Sequence, residues 1–384
     1  MRPSLKRCRA TLLPRRVPIH LLAVASAGLL VAACGSSSPS ASSPTTSGGT
    51  SSRSTASTQG TSSSGAWSAP VKVDTLDKQG LTAVSCVSST FCVAIDSLGN
   101  AFVYSSGTWS SGTNIDAAVT GGGTLGDQLS TISCASSTFC VAGDTKYNVM
   151  VYNGTSWTQP QSVDPKSGSQ FFSVSCPSAT FCLVVDGASD STTYNGSTWS
   201  PAQGVPNGWG PAESGGPNGS VLSSRLTQVS CATPASCVAV DGSDHSITYT
   251  GTSWGQPQYV DAGGSLQGPL VPYVACASTT FCIGAGSINA TSEYLVTYDG
   301  SSWSKPLPSD SSPNEYHAVT CASGPFCMVL EAAGNTVSYN GMSWSHAQHV
   351  EPLTSAGQAN ALSCASASFC VAVDNLGYAL VSKP

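Results

Sequence analysis

The stretch "SCPSATFCLVVD" at residues 175–186 places Cys176 and Cys182 with five residues between them. Close variants recur along the chain, among them "SCVSSTFCVAID" at 85–96, "SCASSTFCVAGD" at 133–144 and "SCASASFCVAVD" at 363–374. The cysteine pair occurs seven times, and successive first cysteines lie 42 to 55 residues apart. Self-similarity at a period of this size is typical of a repeat architecture in which each repeat is one supersecondary unit.

Three further sequence features recur at nearly fixed distances from the cysteines. Four residues after each second cysteine the chain has Asp96, Asp144, Asp186, Asp241, Gly286, Glu331 and Asp374. Six of the units then have a tyrosine, and a tryptophan stands five residues after each of these tyrosines. Seven residues past the tryptophan the chain is usually acidic, with Pro206 as the exception. Short apolar segments between Ser, Gly and Asn turns predict four strands per unit and no helix.

The two ends of the repeat region predict a closed ring. The seventh unit stops where its third strand ends, near Ser382, and has no tryptophan strand. An orphan tryptophan strand, "WSAPVKVD" at 67–74, precedes the first unit. Joining the two removes an exposed sheet edge. The sequence therefore predicts an all-β fold over 67–384, a seven-bladed β-propeller of four-stranded blades closed by the N-terminal strand joining the last blade.

The repeated cysteines favour disulfide bonds over a metal site. Each pair faces itself across the hairpin that joins the first two strands of a unit, whereas structural zinc sites use closer pairs in sets of four ligands. The predicted bonds are Cys86–Cys92, Cys134–Cys140, Cys176–Cys182, Cys231–Cys237, Cys276–Cys282, Cys321–Cys327 and Cys364–Cys370. No metal and no cofactor is predicted.

The first 34 residues have the layout of an export signal. Six basic residues come before or at the start of the apolar run "IHLLAVASAGLLVAAC", which is short for a bilayer span. The end of this run, residues 31–34 before Gly35, resembles a bacterial lipobox. That resemblance implies lipidation of Cys34 on sulfur and acylation of its amine, palmitate being a typical chain, and hence anchoring at the outer face of the cell membrane. An ordinary secretory signal with a chance cysteine is the alternative.

The next segment, residues 35–66, consists almost entirely of Ser, Thr, Gly, Ala and Pro and predicts a disordered tether. From Cys34 onward the chain has eight Lys and Arg against twenty Asp and Glu. Nucleic acid is not an expected partner, because phosphate binding needs clustered cations. We expect a monomer that meets the membrane through its lipid anchor only and binds an extracellular protein or a glycan.

The repeated tryptophans and aspartates have structural explanations. A tryptophan at one place in every blade fills the space between adjacent sheets, and an aspartate after a strand caps a turn. In a four-stranded blade the ends of the second and fourth strands lie on the same face. The acidic residues at these positions predict a strongly negative face that can attract a cation, although the spacing of a calcium-binding loop is missing.

Motifs of catalysis are scarce. Segments such as "YNGSTW" resemble turns of the sialidases, a family that holds its substrate carboxylate with three arginines, but residues 67–384 contain only Arg225. The predicted innermost strands carry no Asp or Glu, and His317 is their only histidine. The central channel therefore lacks the two carboxylates that glycoside hydrolysis needs.

Long linkers favour a binding face around blades three to five. The longest linker contains Trp209 and Arg225, and an insertion at 286–294 contains Glu293 and Tyr294. With His245 in a nearby turn, these side chains are of types common at binding hot spots, and function in propellers usually lies in loops. Insertions without function are the alternative.

Two functions remain open. The first is a lipid-anchored cell-surface propeller acting as a non-catalytic binding module through its loop-rich face. The paired-cysteine repeat is similar to that of secreted bacterial propeller proteins of no assigned activity. The second is a secreted hydrolase or lyase acting on polysaccharide, with carboxylates from Asp127, Glu213 or Glu293.

Overall fold

The computed structural model shows seven antiparallel sheets arranged in a ring, which is the predicted seven-bladed β-propeller. It describes residues 67–75, 80–117, 128–164, 171–206, 225–241, 244–260, 269–288, 292–308, 316–322, 324–331, 334–350 and 358–382. The leader, Cys34 and the tether lie outside this part, so signal, lipidation and tether stay predictions. No helix in the described part is long and apolar enough to span a bilayer.

Each blade is built from four strands, which are ordered from the ring axis outward. The innermost strands of blades one to seven are Leu81–Ser88, Leu129–Ser136, Phe171–Ser178, Leu226–Thr233, Pro269–Ser278, Tyr316–Cys321 and Ala359–Ser366. The second strands are Phe91–Asp96, Phe139–Asp144, Phe181–Asp186, Ser236–Asp241, Phe281–Ile288, Phe326–Glu331 and Phe369–Asp374. The third strands are Asn100–Ser105, Asn148–Tyr152, Asp190–Tyr194, His245–Tyr249, Ser292–Tyr298, Asn335–Asn340 and Tyr378–Val381.

The outer strands are short and interrupted. In blades two to six the predicted tryptophan strand starts as a single bridge, such as Tyr152 to Trp157. A strand of two residues follows, at Gln161–Ser162, Gln203–Gly204, Gln258–Tyr259, Leu307–Pro308 and Gln348–His349. Blade one has two such pieces, Thr108–Trp109 and Thr113–Asn114. A proline such as Pro160 or Pro257 falls in the gap in several blades, and an outer strand tolerates its missing N–H because only one edge is paired.

The ring closes as the sequence predicts. Val71–Lys72 is the outer strand of blade seven and pairs with Tyr378–Val381. Trp67 forms a bridge with Ser382, and the Ser68 N–H donates to the Val381 carbonyl at 2.8 Å. Blade seven is therefore assembled from both ends of the repeat region.

The core consists of seven apolar layers, each between two neighbouring blades. The second strands of blades one, two and seven are buried at every residue, since they are covered by a blade on each side. The tryptophans pack against these layers, Trp157 between blades one and two and Trp254 between blades three and four. The structural explanation of the repeated tryptophan is confirmed.

A belt of hydroxyl groups links the innermost strands around the axis. In six of the seven junctions, the N–H of a blade's first cysteine donates to a hydroxyl of the preceding blade. We call the acceptors the hydroxyl belt: Ser85, Ser133, Ser175, Ser230, Thr320 and Ser363. The distance is 2.9 Å for the serines and 3.2 Å for Thr320. Ala275 takes this position between blades five and six and has no hydroxyl to offer.

All seven predicted disulfide bonds are present, each within its own hairpin. The two cysteines of a pair stand directly opposite each other, as Cys86 and Cys92 do, with Cα atoms 3.9 to 4.1 Å apart across the seven bonds. The cysteines therefore staple the first two strands of every blade.

Candidate functional site

The two ends of the ring differ in chemistry. We call one end the hairpin face, because it carries the disulfide-bonded hairpins. The other end, the linker face, carries the turns between second and third strands and the connections between blades. The described members of the repeated acidic set lie at the linker face, as predicted, but the structure places them inside it, while Asp261, Asp310 and Glu351 lie outside the described residues. Asp74, Asp96, Asp116 and Glu331 are fully buried, so their negative charge lies below the surface.

The buried aspartates hold the turns at the linker face. In blade one, Asp96 Oδ1 accepts the N–H groups of Leu98 and Asn100 at 2.9 and 2.8 Å. Asp144, Asp186 and Asp374 accept two N–H groups in the same way. Burial raises the pKa of Asp96 against these hydrogen bonds, and the carboxylate of Asp74 raises it further. The turn-capping explanation is confirmed.

The residue four places after each buried acid usually donates a side-chain hydrogen bond to its carboxylate. The amide of Asn100 donates to Asp96 Oδ2 at 2.7 Å, and Asn148 and Asn335 serve blades two and six in the same manner. Blade four uses the ring of His245. In blade three this position is Asp190, which offers a third carboxylate in place of a donor.

Asp190 completes a cluster of three acids between blades two and three. Oxygens of Asp164, Asp186 and Asp190 lie within 4.8 Å of one another, and the first two residues are buried. Burial raises the pKa of Asp190, and the charge of Asp164 raises it further. Carboxylates at this spacing have the chemistry to hold a hard cation such as calcium. Acidic clusters also occur without ions, so the trio is not assigned as a metal centre.

Two of the five predicted site residues lie at the linker end of blade four, on different strands. Arg225 is exposed and directly precedes Leu226, which pairs in register with Asp241. Asp241 Oδ1 accepts the N–H of His245 at 2.9 Å, and its Oδ2 accepts the His245 Nδ1–H, also at 2.9 Å. Since a carboxylate can only accept here, this bond fixes the proton on Nδ1.

Tyr259 extends this group to the surface. It pairs with His245 across the outer strands, and their ring centroids are 4.8 Å apart at an angle of 55°. Tyr259 is 51% exposed, which is unusual for so large an aromatic side chain in a blade whose other aromatic residues pack inward. Sequence reasoning missed Tyr259. The sequence did contain a sign of it. Among the short outer strands of blades two to six, only those of blades four and six have an aromatic ring at the second residue, Tyr259 and His349.

The remaining predicted site residues are not brought into this group. Tyr294 is only 1% exposed and packs in the apolar layer between blades four and five, so it contributes to the core and not to a surface. Glu293 lies on the third strand of blade five opposite Ser287, in the backbone register. Trp209 lies outside the described residues. The alternative carboxylates Asp127 and Glu213 lie outside them as well.

The insertion in blade five lengthens its sheet at the linker face. Gly286 occupies the place where other blades have the capping acid, and the hairpin continues for two more pairs, ending with Ile288 opposite Ser292. The innermost strand follows it, so that Pro269 pairs with Ile288. Blade five therefore has three strands that extend beyond the turns of the other blades.

Comparisons with known proteins give the fold and no family. No protein-family model and no curated protein matches the chain. A structure of YCF48 bound to D1 peptide is 11% identical with a TM-score of 0.58, and the match covers 83% of this chain and 97% of that chain. A virginiamycin B lyase from Staphylococcus aureus is 6% identical with a TM-score of 0.62, covering 82% and 98%. The WD40 propeller domain of Doa1 is 11% identical with a TM-score of 0.59, covering 84% and 98%. These likenesses show the fold alone.

Proposed function

We propose that the protein is a non-catalytic binding module, held at the cell surface by a lipid on Cys34, that takes a segment of another protein on its linker face at blade four. The observation that carries this proposal is exposed Tyr259 packed against the fixed ring of His245, with exposed Arg225 at the same end of the blade, next to its innermost strand. Arginine and tyrosine dominate the energetics of protein interfaces, and a ring held by neighbours loses little entropy on binding.

Two further facts support a peptide or an extended segment as the ligand. A propeller of the same fold, YCF48, has been solved with a D1 peptide, although the low identity carries no residue across. The lengthened sheet of blade five lies at the same face of the ring and next in sequence to blade four. A partner strand lying against that sheet would also contact blade four.

The test is a selection of displayed random peptides on the full chain, followed by affinity measurement for the selected peptides. We expect Tyr259→Ala and Arg225→Ala each to weaken binding about tenfold, which corresponds to about 1.4 kcal/mol. Met342→Ala serves as the matched control, because Met342 is 88% exposed at the hairpin face. Peptides that bind the three variants equally, or selection of glycans and no peptides in a parallel screen, would contradict the proposal.

A hydrolase or lyase acting on polysaccharide is the second candidate. Asp190 favours it, since burial and the neighbouring Asp164 raise the pKa of its carboxyl group, and a raised pKa suits a general acid. Its test is turnover of a panel of polysaccharides by the full chain and by Asp190→Asn. Turnover that disappears in the variant supports this function, and a wild type that turns over no member of the panel excludes it for that panel.

A further inference from the structure

The chain enters the described ring at Trp67, and residues 67–74 complete blade seven from the outside. We call these residues the closing segment. At its other end the closing segment leads to Leu81, the first residue of the innermost strand of blade one. A pull on the chain ahead of Trp67 therefore acts on the closing segment before it reaches any other strand of the described ring.

The closing segment is held by an apolar side chain near each end and is exposed between them. Trp67 packs against the layer between blades six and seven, and Val73 is buried in the layer between blades seven and one. Val71 is 50% exposed. Elements with few buried apolar contacts are the first to open in a folded protein. Of the two apolar attachments, Trp67 is the one that a pull loads first.

The hydrogen bonds of the closing segment follow one another along a single edge of the sheet. The Ser68 N–H donates to the Val381 carbonyl at 2.8 Å, and the Ser68 hydroxyl accepts the Val381 N–H at 3.0 Å. Further along, the N–H groups of Val73 and Asp74 donate to the Gly377 carbonyl at 2.9 and 3.1 Å. Because a pull from the Trp67 side lifts the segment end first, these bonds break one after another and do not share the load.

The rest of blade seven is held without the closing segment. The Cys364–Cys370 bond links its first two strands covalently, and the Ser363 hydroxyl accepts the Cys86 N–H of blade one at 2.9 Å. The third strand, Tyr378–Val381, pairs with the second. Departure of residues 67–74 therefore opens the outer edge of the blade and leaves its three inner strands in place.

We propose that tension detaches the closing segment. A pull between the membrane anchor and a partner bound at blade four peels residues 67–74 from blade seven, and relaxation lets them return. Blade four lies across the ring from blade seven, so such a load draws Trp67 away from the outer edge of its sheet. The inference rests on the proposed function for the source of the tension, whereas the detachment itself depends on the fold alone.

The experiment stretches the full chain with optical tweezers, under non-reducing conditions, between a handle in the predicted tether and a handle after Pro384. We expect a first, reversible event at a force below that which unfolds the ring. Its gain in length should be about 27 Å if release stops at Asp74 and about 50 Å if it reaches Gly80. At constant force, Trp67→Ala should raise the rate of this event about tenfold, because the packing that resists the pull is lost.

Two matched controls separate this event from general destabilisation. Val71→Ala changes an exposed side chain of the same segment and should leave the first event unchanged. Trp157→Ala removes the corresponding tryptophan of blade two and should ease the unfolding of the ring without changing the first event.

A double variant, Trp67→Cys with Ser382→Cys, gives the decisive result. These residues face each other across the bridge, so a disulfide between them, verified by mass spectrometry, should abolish the first event. The inference is overturned if no event precedes unfolding of the ring, if the first gain exceeds about 50 Å, or if the event survives the added bond. A failed peptide selection at blade four would remove the proposed function and leave these force measurements unaffected.

Discussion

At the scale of single residues, blade three breaks a rule that four other blades keep. A buried acid is followed four places later by a neutral or ring donor in blades one, two, four and six, and by Asp190 in blade three. The repeated acid can be read from the sequence, but its burial cannot. A turn-capping aspartate looks the same in sequence whether solvent or a neighbouring blade covers it.

Asp190→Asn should therefore stabilise the protein. The asparagine amide can donate to Asp186 as Asn148 does to Asp144 at 2.7 Å, and the repulsion from Asp164 is removed. We expect a gain of about 1 kcal/mol at neutral pH in urea denaturation. Asn148→Asp is the mirror variant and should lose stability, because it recreates the three-acid cluster between blades one and two.

The gain should depend on pH in a defined direction. The pKa of Asp190 is raised in the folded protein, so the folded state holds this proton more tightly than the unfolded state. The unfavourable effect of ionised Asp190 on the free energy of unfolding is therefore lost as pH falls through that raised pKa. The stability advantage of Asp190→Asn over the wild type shrinks accordingly on acidification. An advantage that is constant from neutral to acid pH would show that the charge of Asp190 is not its cause.

At the scale of strands and blades, the serine that usually precedes the first cysteine of a blade has a structural role of its own, because its hydroxyl links neighbouring blades. In the repeated "SC" dipeptide, the cysteine forms the disulfide bond and the serine hydroxyl accepts a hydrogen bond from the next blade. The sequence alone predicts only the disulfide bond. The cysteine bonds follow from spacing on a hairpin, which is local. The belt links residues 43 to 56 apart in sequence, or 277 apart at the closure, so it depends on how blades are placed around the axis.

Removing one belt hydroxyl should cost about 1 kcal/mol, because the cysteine N–H loses its acceptor beside the next blade. We expect this loss for Ser175→Ala, whose hydroxyl accepts the N–H of Cys231 at 2.9 Å. The converse variant, Ala275→Ser, should stabilise the protein by supplying the acceptor missing between blades five and six. Guanidinium denaturation at constant pH measures both, and a neutral Ser175→Ala would mean that the belt contributes nothing.

At the scale of the whole molecule, the blade count and the closure could be read from the sequence, since both depend on a strict repeat register. The five site residues could not be placed in the same way. Insertions interrupt the register, and Tyr294 therefore proved to be a core residue. Arg225 and His245 lie at the same end of blade four, but on strands separated by the one that carries Asp241. Tyr259 pairs with His245 through the short outer strand, the least regular part of each blade.

Closure should be essential to stability. Deleting residues 67–74 removes the outer strand of blade seven together with buried Val73 and Asp74, and it exposes the edge of Tyr378–Val381. We expect a loss of about 3 kcal/mol or more and self-association through that edge. Thermal denaturation and gel filtration measure the two effects. A deletion of equal length at 50–57, in the predicted tether, is the control and should change neither.

The pairing of Trp67 with Ser382 also sets an order of events during synthesis. A ribosome delivers Val71 and Lys72 first and their partners Tyr378 and Ala379 last, so the opening segment of the ring must wait, unpaired, while six blades are made. The final joint can form only after translation has passed the seventh staple. A nascent chain that ends before Tyr378 cannot pair with Val71 and Lys72, so it cannot close the ring.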